Sequence, residues 1–194
     1  MQTNIISTNK VSVEEAQNAI KTILRYIGEN PSDDRLLDTP RRVIETCDQI
    51  FNGYKESADT VLNCKHEMKA LSSNPIIIKD IDFHSICEHH LLPFSGKITV
   101  AYEPSEKIVG IGKIRKIVEI FSKRLQIQER ITAQICETIC NSDLKPQGVA
   151  VFINAIHSCS YVKDRLSTQS SLTTMHFCGS LNNREAQKNL ITMI

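Results

Sequence analysis

The sequence predicts an α+β domain: an antiparallel β-sheet with two helices on one face, in the order β-β-α-α-β-β, preceded by an N-terminal helical region. Three observations predict it. Apolar residues recur at helical spacing through the first third of the chain. The pattern then switches to short runs rich in Ile and Val at 75–83, 97–102 and 149–156. Between the second and third of these runs lie two amphipathic stretches, roughly 113–124 and 127–142, so strands flank helices. One face of such a sheet stays bare, which favours assembly with further copies of the chain.

Residues 1–11 are polar and read as a mobile N-terminus. Ser12-Val-Glu-Glu15 is a capping box, in which Ser12 accepts from the Glu15 amide and Glu15 reaches back. Ala16, Ile20, Ile23, Leu24 and Ile27 form the apolar stripe of the helix it starts, and Gly28 stops that helix. Thr39-Pro40 starts a second helix, with Pro at the first helical position and a stripe of Val43, Ile44, Cys47, Ile50 and Phe51. Residues 54–74 are polar and read as a connector, so 12–74 is a helical region with its connector and 75–194 the sheet domain. In the latter, 75–78 with 81–83 pairs with Lys97–Tyr102, and 168–178 pairs with the run 149–156 across the turn-bearing topology. Asp143–Gly148 is a turn, and a short helix follows Asn183.

Composition narrows the function. The 194 residues carry 23 Lys+Arg against 22 Asp+Glu, so no global field draws the chain to nucleic acid or an anionic membrane. There is no Trp and only 5% aromatic residues, a thin supply of stacking surfaces for single strands. No apolar run approaches the ~18 residues of a membrane span, and no secretory signal is visible at the start. Seven cysteines, an odd number, argue against a fully paired disulfide framework and for a reducing cytoplasm, where thiols serve metals or catalysis.

Chemistry concentrates in Cys87-Glu88-His89-His90. Cys87 and His90 are three apart and can reach one metal from a turn, and His157-Ser158-Cys159 follows the strand 149–156 directly. Zinc takes thiolate and imidazole ligands in a tetrahedron; Cys87, His90 and Cys159 would supply three and leave the fourth position to water, the mark of a catalytic site. His89 and His157 would then stand beside the metal as proton-transfer groups, with imidazole pKa near neutrality. A closed structural zinc, with His89 or Cys178 as fourth ligand, remains the alternative. Cys136 and Cys140, four apart on a helix, read as a core stripe, and Cys64-Lys-His66 has ligand spacing within the connector. Gly110-Ile-Gly-Lys113 with Lys116 is a helix start suited to an anion, or a solvated basic face. Glu129 opens the next helix, as a cap or as a carboxylate for an NH-rich base such as guanine.

Cys87-Glu-His-His-Leu-Leu-Pro-Phe94, Gly110-Ile-Gly-Lys-Ile114, Gln126-Ile-Gln-Glu-Arg-Ile-Thr132 and His157-Ser-Cys159, with the earlier Thr39-Pro-Arg-Arg42, resemble the GTP cyclohydrolase I family in order and spacing from about Ser12 onward. The resemblance implies the tunnelling fold, whose sheets from several subunits close into a barrel, and a homo-oligomer, a decamer of two stacked pentamers with active sites between subunits. It implies a Zn2+ ion on Cys87, His90 and Cys159, His89 and His157 as proton carriers, Glu129 as guanine anchor and Gln128 as a neighbouring base contact. Arg42, Lys113, Lys116 and Lys163 fall where the family holds the triphosphate of GTP. The implied reaction opens the guanine ring at C8, releases formate and closes a pterin ring, giving 7,8-dihydroneopterin triphosphate.

Four positions depart from the family pattern. Gly112 stands where the family has Ser, Lys116 and Lys163 where it has Arg, and Asp164 where it has Gly. Lysine keeps the charge but loses the planar fork that grips phosphate, and a lost bidentate contact costs about 1–3 kcal/mol. Metal and base recognition are thus intact while triphosphate recognition is altered. That leaves two alternatives to the cyclohydrolase: a non-catalytic zinc-containing paralogue serving as an assembly or regulatory subunit, and a related cyclohydrolase acting on another purine nucleotide.

Overall fold

In the computed structural model, the described residues are 11–62, 68–70, 72, 74–164 and 170–194. The first ten residues and the Cys64/His66 pair lie outside them. The chain forms two compact units, one ending at Ile50 and one from Phe51 to Ile194.

The N-terminal unit holds α1 (Val13–Tyr26) and α2 (Thr39–Ile50). The capping box is formed as the sequence predicts: the Glu15 amide donates to Ser12 Oγ at 3.1 Å and the Ser12 amide to Glu15 Oε2 at 2.8 Å. Gly28, at φ +93°, adopts the left-handed conformation that follows the end of α1. Along α2, Arg41 pairs with Glu45 at 2.7 Å.

The larger unit opens with a 3-10 turn (Asn52–Lys55) and a two-residue strand, β1 (Met68–Lys69). There follow β2 (Ile76–Cys87), β3 (Pro93–Glu103), β4 (Lys107–Ile108), α3 (Ile111–Ser122), β5 (Leu125–Gln126), α4 (Gln128–Cys140), β6 (Gly148–His157), α5 (Ser158–Asp164), β7 (Leu172–Gly179) and α6 (Arg184–Ile191). The main sheet runs β5-β2-β3-β6-β7, antiparallel except for the short parallel pairing of β5 with β2. The β-β-α-α-β-β order expected from the sequence is therefore present. The short elements β1, β4, β5 and α5 are additions, each too brief to carry a periodic signal.

Alternation along the strands sorts the side chains into two layers. Ile98, Val100, Tyr102, Val149, Val151 and Ile153 face α3 and α4 and, with Ile114, Ile117, Ile131 and Ile135, form the main core, all fully buried. On the opposite face a smaller cluster of Ala101, Ala150 and Phe152 packs with Leu181 and with Leu190 of α6. The rest of that face is less covered: Ile156 and Met175 are exposed. A bulge interrupts β2: Ile78 pairs with Val100 and Ile81 with Ile98, so β2 carries one residue more than its partner, and Asp80 within it has φ +56°. Gly96 is required by close packing, because a Cβ there would meet the Asn154 carbonyl oxygen at 2.0 Å. Among the described residues no helix is long and apolar enough to cross a membrane.

The fully buried Tyr102 hydroxyl accepts from the Val109 amide at 3.1 Å, tying the loop before α3 to the sheet. Tyr102→Phe leaves that buried donor without a partner, and a loss of about 1–3 kcal/mol is expected, read as a lower denaturant midpoint at unchanged transition slope.

Candidate functional site

Strand direction brings the chemical residues to one end of the sheet. β2 ends there at Cys87, β3 begins there, and β6 ends there at His157, which pairs with Phe94. After Cys87 the chain turns tightly: the Leu91 amide donates to the Cys87 carbonyl, the Cys87 amide to the Leu92 carbonyl, both at 2.9 Å, and Leu91 takes a positive φ of 54°. The turn presents His89 and His90 to solvent while Cys87 stays buried. The ligand atoms of Cys87, His90 and Cys159 lie within 4.8 Å of one another, and Cys87 Sγ stands 3.9 Å from His90 Nδ1. Cys159 comes from the first turn of α5. Two thiols and an imidazole make a donor set for a borderline or soft transition ion rather than for magnesium or calcium. Cys178, the alternative fourth ligand, gathers elsewhere, with Cys136 and His176.

His157 is held on two sides. Its ring stacks on Phe94, centroids 4.5 Å apart and planes within 6° of parallel. Its Nε2 lies 2.8 Å from Gln128 Oε1. Gln128 is fully buried, and its amide nitrogen donates to the Ile153 and Leu172 carbonyls and to Thr174 Oγ1 at 2.9–3.1 Å. Those acceptors fix which end of the amide is nitrogen, so Oε1 must accept and His157 Nε2 must carry the hydrogen. The proton-accepting atom of the neutral ring is then Nδ1. Burial pushes the His157 pKa below its ordinary value, and the Glu129 carboxylate opposes that shift.

The turn bearing the cysteine and histidines is anchored from α4. Arg130 grips Glu88 with both guanidinium arms, at 2.5 and 3.0 Å, and this contact holds the Glu88 carboxyl below its usual range. The Glu88 amide donates to the Gln126 carbonyl, and Cys87 pairs with Gln126 of β5. Arg130, Glu88 and Phe94 lie inside the motifs singled out in the sequence, but their roles depend on contacts 42 and 63 residues apart along the chain.

A sequence profile of the GTP cyclohydrolase I family matches residues 16–194. The chain belongs to the GTP cyclohydrolase I family. A GTP cyclohydrolase 1 of Rickettsia felis is 46% identical over 171 residues, 88% of this chain and 90% of that protein. One of Rickettsia bellii is 44% identical over 174 residues, 90% of each chain. A crystal structure described as archaeosine synthase QueF-Like in the apo form overlays 56% of this chain and 97% of its own, at TM-score 0.47 and 16% identity.

The remaining family positions among the described residues make local contacts of their own. Glu129 is exposed in the first turn of α4, and His89 lies 3.6 Å from Glu88 with 63% of its side chain exposed. Lys113 donates to the Val61 carbonyl at 2.8 Å, and Lys116 pairs with Glu56 at 2.8 Å and Glu119 at 3.3 Å. Arg42 belongs to the N-terminal unit, where it pairs with Asp38. The side chains of Lys163 and Asp164 lie outside the described residues.

Glu88→Gln keeps the shape of the side chain and removes its charge from Arg130. We expect metal affinity to fall about 10–100-fold, the usual cost of losing a partner that orients a ligand-bearing segment, measured by competition with a chromophoric chelator while the far-ultraviolet circular dichroism stays unchanged.

Proposed function

We propose that the chain is a zinc-dependent GTP cyclohydrolase I that hydrolyses GTP at C8 of the guanine ring, releases formate and forms 7,8-dihydroneopterin triphosphate. One observation carries the reading: in a chain of this family, Cys87, His90 and Cys159 converge within 4.8 Å at the sheet end where His157 is half-buried and oriented. Cys87, His90 and Cys159 would hold the zinc, and their number leaves a coordination position open. The ion, when bound, supplies Lewis acidity that makes a water nucleophile available at neutral pH.

The chain's own residues divide the rest of the work. The Glu129 carboxylate accepts from N1–H and the exocyclic amine of guanine together, a pair of donors adenine lacks. His157 receives and returns a proton at Nδ1 while Gln128 holds Nε2–H and Phe94 fixes the ring plane. His89, more exposed, is the second proton carrier. Gln128, which the family resemblance makes a base contact, acts here through His157, since its buried amide is occupied. Arg42, Lys113, Lys116 and Lys163 meet the triphosphate. For Lys116 this means exchanging Glu56 and Glu119 for phosphate.

The proposed assembly is a homo-oligomer of the tunnelling-fold type, a decamer of two pentamers, in the cytoplasm. The edge strand β7 and the exposed Leu172, Met175 and Ile156 support it, because an edge of this length with apolar neighbours is suited to another copy. The paired state of Lys116 supports a second reading, a cyclohydrolase preferring a nucleotide with fewer phosphates.

The test is turnover of GTP by zinc-replete protein, followed as formate and as pterin fluorescence after mild oxidation. Both signals are expected, and Cys159→Ser abolishes both; a panel of guanosine mono-, di- and triphosphates that favours a shorter chain selects the second reading, and no turnover of any of them removes both. Glu129→Gln is expected to raise KM for GTP about 10–100-fold, as for loss of hydrogen bonds to a charged group, at unchanged zinc content. Because burial lowers the His157 pKa, the acid limb of kcat/KM is expected below the ordinary imidazole value of about 6.5. Glu129 raises that pKa, so in Glu129→Gln the limb moves to still lower pH; a limb that moves upward contradicts the assignment of His157.

A further inference from the structure

A second group of thiols and imidazole lies away from the site just described. Cys136 and Cys140 are one turn apart on the same face of α4. His176 and Cys178 alternate on β7 and share the face that looks toward α4, opposite Val151 and Val149. The ligand atoms of Cys136, His176 and Cys178 lie within 4.8 Å of one another. Cys136 Sγ is 3.3 Å from Cys178 Sγ; Cys140, one turn further along α4, stands outside that 4.8 Å group and has to move toward it to serve as a fourth ligand. Cys136 is fully buried, while the other three are half-buried at the rim of the core.

We propose that Cys136, Cys140, His176 and Cys178 form a second metal site, a closed Cys3His centre that takes a zinc ion and clamps the edge strand β7 onto α4. An ordinary core stripe accounts for Cys136 and Cys140 alone. It does not account for a histidine and a third thiol delivered from another element to the same point. The sulfur–sulfur distance of 3.3 Å is far beyond the ~2.05 Å of a disulfide. Two thiolates on one tetrahedral zinc, each about 2.3 Å from the metal, stand roughly 3.8 Å apart, so the Cys136–Cys178 pair needs a relaxation of about half an ångström. Glu137 Oε1 stands 3.9 Å from His176 Nε2, too far for a hydrogen bond but close enough to attract the imidazole electrostatically. Four protein ligands leave no open position, so the centre is structural, unlike the one at Cys87.

The test is zinc content of the full-length protein, purified under reducing conditions and dialysed against metal-free buffer. About two ions per chain are expected in the wild type, and about one in either Cys159→Ser or His176→Ala. His176→Cys, which keeps four ligands, restores about two. His176 is half-buried rather than core, and the Cys159→Ser chain retains the second cluster untouched, so a folding failure in one variant leaves the other to decide. Cobalt added to the Cys159→Ser chain is expected to give the intense visible bands of a four-coordinate, thiolate-rich centre. A wild type that holds one ion, lost in Cys159→Ser and unaffected by His176→Ala, overturns the proposal. So does a reduced protein that re-forms a Cys136–Cys178 disulfide in air, seen as a mass about 2 Da lower, and binds no second ion once reduced again. GTP turnover by His176→Ala tests the catalytic reading separately, because that variant leaves Cys87, His90 and Cys159 in place.

Discussion

The end of the sheet where Cys87 and His157 meet depends on the first turn of α4. Three consecutive residues there point to three different tasks. Gln128 is driven into the core, where it orients His157; Arg130 reaches the Glu88 carboxylate and fixes the turn that carries Cys87, His89 and His90; Glu129 between them stays in solvent. Helical geometry sends successive side chains in directions about 100° apart, so one turn can reach the strand ends, the ligand loop and the open cleft at once. The parallel pairing of β5 with the end of β2 sets the height of that turn against Cys87. A bidentate ion pair of 29% and 41% exposed side chains contributes little to global stability; its effect is positional, on where Cys87 and His90 stand.

The buried amide of Gln128 shows how a polar group can be tolerated in a core of Ile and Val. Its nitrogen meets two carbonyls and a hydroxyl, and its oxygen meets the imidazole. Thr132 extends the network, donating to the Gln128 carbonyl at 2.6 Å and meeting Thr174 at 2.7 Å. A network satisfied in this way rigidifies rather than destabilises, and it joins α4 to both β6 and β7. The same pair of elements is bridged further along by the cysteines and His176, so the two contacts sit at successive levels of one helix–strand interface.

Much of this was legible in the sequence, and the parts that were not share a cause. Periodicity located α1 through α4, the central strands and the tail helix because each is long enough to repeat its pattern. The convergence of Cys87, His90 and Cys159 was legible because Cys87 and His90 are close in sequence and Cys159 follows a strong strand. The elements missed, β1, β4, β5 and α5, span two to seven residues and exist through tertiary contacts. The burial of Gln128 and its contact with His157 were not legible, because sequence gives residue type but not burial. Lys113 and Lys116 read as free cations because their partners, Val61 and Glu56, sit more than fifty residues away. Cys136 and Cys140 read as apolar stripe because His176 and Cys178 join them only when β7 folds back across β6.

The bulge in β2 gives that strand a parity. Upstream of it, Ile78 faces the core from an even position; downstream, Ile81, Phe83, Ser85 and Cys87 do so from odd ones. The extra residue at Lys79-Asp80 converts one series into the other. A strand of the same length paired regularly, without the bulge, would keep every chemical group in its sequence and yet turn Cys87 to the outer face, apart from His157 and Phe94. The placement of Cys87 is therefore specified twice, once by its own identity and once by an irregularity several residues earlier. Bulge and extra residue go together in this strand: losing both leaves Cys87 on the core face, while losing either alone turns it out, so chains that vary in this segment can be sorted by whether the two are kept or lost together.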